Sequence, residues 1–216
     1  MILSHLNTFG NELSSKKIRI NYWLFMMTMT TEYNEPTAYI GLTNPKSPTN
    51  VGAVMRAAGC FKVDKVFYTG RRYEQAVMFN KGSLKTDTKN AQNTIPLLNI
   101  DEFQSLTNWR EKAHPATKII CVDLVEGATA LPHFSHPEHA LYIFGPEDGT
   151  IKQTMIDIAD EVVYVPTTGC MNLAATVNVI LYDRLSKTAI KKSTAMTDND
   201  LIRRSRDTNN KVKVKK

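Results

Sequence analysis

Residues Val162–Lys187 read VVYVPTTGCMNLAATVNVILYDRLSK, a stretch that changes character twice. VVYV is a run of β-branched and aromatic residues, the composition of a buried strand. Pro166 and Gly169 then interrupt any regular element. Leu173, Val177, Ile180, Leu181 and Leu185 follow at helical spacing and predict an amphipathic helix with Asn172 at its N-cap. Such a junction exposes backbone N–H and C=O groups beside a positive helix end, where ligands bind. Alone it is an ordinary strand-to-helix connection, but two similar loops precede it.

Thr37–Thr43 reads as a strand, NPKSPTN as a loop, and the residues from Val51 as a helix capped by Asn50 and ended by Gly59. Val63–Thr69 is a second strand, so the unit is βαβ and the sheet parallel. Gly70–Asn90 is polar and basic, a loop with a short helix. Further on, the pattern predicts strands at Thr94–Leu98, Lys118–Leu124, Ala140–Phe144 and Asp160–Val165. Helices are expected at Ile100–Trp109 and Thr150–Ala159, and loop at Gly127–His139. The class is α/β with a mostly parallel sheet. One domain, residues 38–189, is expected between an N-terminal extension (1–37) and a basic mobile tail (190–216) with little apolar periodicity. Met26, Met27 and Met29 are plausible alternative starts, which would place the extension upstream of the true one.

The chain has 216 residues and 42% hydrophobic content, enough for one real core. The net charge of +6 is compatible with a polyanionic partner without selecting one. Cys60, Cys121 and Cys170 are scattered and form no CxxC pair, a reduced, cytoplasmic pattern without disulfide framework or zinc site. No apolar run approaches the ~20 residues of a membrane span. Ile20–Met29 follows three basic residues like a signal peptide, but a long polar lead precedes it and no A-x-A site follows.

The three loops are NPKSPTNVGAVMR (Asn44–Arg56), FGPEDG (Phe144–Gly149) and VPTTGCMN (Val165–Asn172). Each follows a strand and precedes a helix, so in a parallel sheet they meet at one edge. Together they resemble motifs 1, 2 and 3 of the SPOUT class of RNA methyltransferases, in its SpoU/TrmH branch, over Ala38 to about Lys187. The resemblance implies a SPOUT fold, with helices on both faces of the sheet and a C-terminal trefoil knot. It also implies S-adenosyl-L-methionine as cofactor, a homodimer, and methylation of a ribose 2′-hydroxyl in tRNA or rRNA. No metal and no membrane are called for.

The resemblance places Arg56, Asn50, Glu147 and Asn172 at the catalytic centre. Arg56 is either the base or a holder of phosphate and alkoxide charge; a guanidinium with pKa above ~12 suits the second role. Asn50 caps its helix, orients Arg56, or both. Glu147 either orients Arg56 or Asn50, or caps the helix that follows it. Leu124, Gly145, Val165, Thr167, Gly169, Cys170 and Met171 are expected around the cofactor, in an apolar pocket with a few backbone hydrogen bonds. Cys170 replaces the serine common in motif 3, and the motif is shorter than usual. Lys46, Arg71, Arg72 and Lys81 are expected RNA contacts. His133, His136 and His139 suggest a metal site, but Pro137 breaks their register. Two rival functions stand beside ribose methylation: base methylation, and RNA binding without catalysis.

Overall fold

The computed structural model describes residues 35–80, 93–105, 109, 112–189 and 198–214. Their centre is β1 (Thr37–Leu42), which pairs in parallel with β2 (Lys65–Tyr68) and β6 (His139–Phe144). β3 (Leu97–Asn99) adds to β2; β4 (Lys118–Val122), β7 (Glu161–Tyr164) and β5 (Thr129–Ala130) extend the other side. The seven strands run β3-β2-β1-β6-β4-β7-β5, every pairing parallel.

Both faces are covered, and the strands alternate between two cores. Ile40, Leu42, Ile120, Val122, Tyr142 and Phe144 face one core; Tyr39, Ile119, Cys121, Leu141 and Ile143 face the other. Strands buried on both sides read as continuous apolar runs, which is why β4 and β6 were legible in the sequence. The first core is completed by α1 (Pro48–Phe61) and α4 (Leu173–Ala189), which pack against each other and add Val54, Met55, Val177 and Ile180 to it. The second holds Phe103, Trp109 and Met155 of α3 (Gln153–Ile156). Gly41 makes room for this layer: a Cβ there would lie 2.7 Å from the Phe103 ring. α2 (Arg72–Asn80) lies in the polar, basic stretch after β2.

Several boundaries differ from expectation. Ser47, not Asn50, caps α1: its side chain accepts the Asn50 N–H, and Pro48 occupies the first turn. Gly59 does not end the helix, which runs to Phe61 and stops at Lys62 in the left-handed region, φ 54°. The described residues of Ile100–Trp109 form bends and turns, not a helix. The helix expected from Thr150 shrinks to one turn, Gln153–Ile156, and the Ile151 N–H before it is held by the Asp123 carboxylate at 2.9 Å. β5 and a 3₁₀ turn, Leu131–His133, occupy the expected loop; two residues of strand leave no periodicity to read. The tail carries α5 (Asp198–Ser205).

On α4 the apolar seam is interrupted. Leu185 is 51% exposed, and Arg184 takes the buried place below Ile180 and Leu181. Its guanidinium donates to the carbonyls of Pro137 (2.6 Å), Glu138 (2.6 Å) and Thr37 (3.2 Å) and to the Tyr142 hydroxyl (3.1 Å). Tyr142 also bonds His136 Nδ1 at 2.6 Å, while His136 Nε2 meets Asp183 at 2.8 Å. The middle histidine of HFSHPEH is thus held in a side-chain network, and among the described residues no group of His, Cys, Asp or Glu is arranged for a metal ion. Among them, too, no helix is long and apolar enough to cross a membrane.

Candidate functional site

The strand-end loops converge at the C-terminal edges of β4, β6 and β7, around a cavity of about 280 Å³. Val122 and Phe144, the last residues of β4 and β6, reach its lining. Leu124 and Gly145 follow them there. Val165, Thr167, Cys170 and Met171 form the wall contributed by the loop after β7. Asn50, Glu147 and Asn172 line the same space, so residues distant in sequence are brought together. Two expected residues are not in the lining. Gly169 sits in the turn, where the Thr167 hydroxyl donates to its carbonyl at 2.6 Å, and an added Cβ would meet nothing within 4 Å. Arg56 is exposed on α1, and a helix turns ~100° per residue, so six positions set it on a different face from Asn50.

Glu147 ties the first loop to the second. Its carboxylate accepts the N–H groups of Lys46 (2.8 Å) and Ser47 (3.0 Å) and the side-chain amide of Asn50 (3.2 Å). Of the alternatives read from sequence, it therefore holds Asn50, and it serves the start of α1 instead of the helix after it. A carboxylate there also meets the positive end of the helix dipole. Burial pushes the Glu147 carboxyl up, but the three donated hydrogen bonds outweigh it and hold the group below its ordinary range.

Asn172 caps α4 as expected: its Oδ1 accepts the Ala175 N–H at 2.8 Å, and its carbonyl accepts the Thr176 N–H at 3.0 Å. With Oδ1 committed to the cap, its NH₂ group is what it can offer a ligand.

Asp123 is a lining residue that sequence reasoning missed. One carboxylate oxygen accepts the Leu124 N–H at 2.8 Å, the other the Ile151 N–H, so it staples the loops after β4 and β6. A Cβ on Gly145 would stand 3.3 Å from that second oxygen and 3.3 Å from the Ile151 nitrogen, both tight contacts. The available signal was position: Asp123 directly follows β4, as the motifs follow their strands.

At the rim, Arg72 makes a bidentate pair with Asp148 at 2.9 and 2.7 Å, and Lys46 approaches the same carboxylate at 3.7 Å. Arg71 is exposed and lines a separate cavity. Lys81 lies outside the described residues.

Residues 37–182 match the SpoU rRNA Methylase family. The chain belongs to that family. Solved structures agree on the fold. The SpoU methyltransferase AviRb from Streptomyces viridochromogenes superposes with TM-score 0.60 at 17% identity, covering 75% of this chain and 63% of its own. AviRb has also been solved with AdoMet. The A. aeolicus TrmH/SpoU tRNA modifying enzyme gives 0.57 at 14% identity, covering 79% and 86%. A structure described as giving insights into 2-OH methylation of C/U34 on tRNA gives 0.58 at 20%, covering 71% and 97%. This SpoU-family chain thus spans less than two thirds of the AviRb length. No curated protein sequence matches it.

Proposed function

We propose that this SpoU-family protein is an S-adenosyl-L-methionine-dependent RNA methyltransferase that methylates a ribose 2′-hydroxyl of tRNA or rRNA. The observation that carries the reading is the meeting of the three motif loops in one cavity. The residues fit the cofactor: Leu124, Val165 and Met171 give apolar walls, and Gly145 lets backbone come close. Bound there, the cofactor supplies an electrophilic methyl group on a sulfonium, so no metal is needed. Glu147 keeps Asn50 at the cavity, and Asn172 presents its amide beside it. Arg56 binds the phosphate next to the target ribose and stabilises charge as the hydroxyl loses its proton.

Because Arg56 does not line its own chain's cavity, this reading also calls for the homodimer, in which a second copy supplies it. The outer face of α4 supports such a partner: Tyr182 is 64% exposed beside Leu185. The trefoil knot belongs to the same proposal. Its support is the way α4 reaches back under the segment before β6, with Lys187 donating to the carbonyls of Leu131 and Phe134 and Arg184 to those of Pro137 and Glu138. A cytoplasmic location suits the three unpaired thiols.

Calorimetry with S-adenosylmethionine, then digestion of methylated RNA to nucleosides, tests the reading. The expected results are heat of binding and a 2′-O-methylated nucleoside. A methylated base would replace the reaction assigned here, and binding of RNA without cofactor heat would make the protein a non-catalytic binder.

A further inference from the structure

The net charge of this chain is gathered in one segment. Residues 190–216 hold nine of its 27 basic residues and three of its 21 acidic ones, a net +6. The other 189 residues hold 18 of each sign, so their formal charge is zero. The +6 of the whole protein is therefore the charge of its tail. We propose that this tail is the arm that holds the RNA, gripping its phosphate backbone without reading its sequence; the inference rests on the RNA reading above.

Affinity for a polyanion comes mainly from unpaired cations that neutralise phosphates and release their counterions. The body around the cavity is poorly equipped for that. At the rim, Asp148 already pairs with Arg72 at 2.7 Å and lies 3.7 Å from Lys46. Glu147, held below its ordinary range, is a further negative charge on the lining. Arg56 meets one phosphate in the reading above, and a single contact gives little affinity. Screening limits what distant charges add to about 10 Å at ~0.1 M salt. A strand of RNA therefore needs a second, more basic surface on this chain.

The tail provides it. Arg203, Arg204, Lys211 and Lys213 are all exposed. Along α5, at ~100° per residue, Arg203 and Arg204 fall on the side opposite Leu201 and Ile202. Arg203 pairs with Asp200 at 2.9 Å, but both side chains are open to solvent, where such a pair is weak and yields to a phosphate. Residues 190–216 contain no Phe, Trp or Tyr. Without aromatic rings the tail cannot stack on bases, so its grip is on the backbone and independent of sequence. The same lack argues against a membrane surface as partner. Leu201 and Ile202 are the only large apolar residues of α5, too narrow a face to enter a bilayer interface.

The test uses the full chain and a variant with Arg203, Arg204, Arg206, Lys211 and Lys213 all changed to Gln. Calorimetry with S-adenosylmethionine on both comes first: it checks the methyltransferase reading by itself, and the two should agree within about twofold. Binding of a fluorescein-labelled tRNA transcript is then followed by anisotropy from about 50 to 300 mM KCl, beside a transcript of the same length and scrambled sequence. At ~100 mM the variant should bind at least about tenfold more weakly, and its slope of log K against log[KCl] should be shallower by at least about 2. The loss should be the same for both transcripts, and Tm should not change. Lys62→Gln with Lys152→Gln, two exposed cations of the body, should cost under about twofold. An unchanged slope or affinity in the tail variant, a loss confined to one transcript, a lowered Tm, an equal loss from the body pair, or tighter binding to phosphatidylserine vesicles than to tRNA at the same salt would each overturn the proposal.

Discussion

Glu147 shows how one carboxylate ties two loops of the cavity together. Each of its three donors lies on the loop before α1 or its first turn. Glu147→Gln keeps the shape but loses charge and one acceptor. The expected cost is about 1–2 kcal/mol, read by urea unfolding. The pH dependence follows. The folded carboxyl titrates below its ordinary value of 4.5, so the unfolded chain binds more protons between the two values. The stability is fully present above 4.5 and is lost as pH falls through the folded value. Glu147→Gln should lose this acid-side contribution, and an unchanged acid profile would show that the three bonds do not couple to its charge. Arg56→Ala is expected to leave S-adenosylmethionine binding within about threefold while reducing methyl transfer by at least about a hundredfold. Loss of cofactor heat in calorimetry would instead make Arg56 structural.

Among the elements, α4 does three separate tasks with one sequence. Its N-terminus carries Asn172 to the cavity, its middle fills the core with Val177 and Ile180, and its last turns bury Arg184 among carbonyls. Arg184→Met fills similar space but abandons those acceptors, and should destabilise by about 2–4 kcal/mol in chemical denaturation. Leu185→Ala, on the exposed side, should cost under about 1 kcal/mol within a single chain. The same outer face tests the proposed dimer: the wild-type chain should sediment as a dimer, and Tyr182→Glu should halve the mass measured by analytical ultracentrifugation while the circular dichroism spectrum is unchanged. A dimer that survives the added charge would move the interface to another face.

At the scale of the molecule, acid sensitivity should come from the N-terminal side of the sheet as well as from the site. Burial lowers the pKa of His136, despite Asp183 beside it, and burial with the neighbouring His114 lowers that of His139, whose ring stacks on His114 at 3.6 Å. Protonation therefore favours the unfolded chain. Stability is full above 6.5 and falls as pH drops from there toward the folded values, which thermal melting from pH 8 to 5 would show. A Tm that rises across that interval would contradict the assignment.

The alternation of apolar strands with helices, and three loops rich in proline, glycine and asparagine at strand ends, were written in the order of residues. Local chemistry suffices there: strands buried on both faces must be apolar throughout, and an asparagine before an apolar run caps a helix. From these the parallel α/β class and the meeting of the three loops at one edge were legible, while the individual lining residues came from the resemblance to the SpoU/TrmH motifs. The partners of side chains were not. That Glu147 would serve α1, that Asp123 would staple two loops, that Leu185 would face outward while Arg184 went inside, all depend on which strands become neighbours in the sheet. Strand order brings together groups from 28 to 147 positions apart, and no spacing within the chain records those pairings.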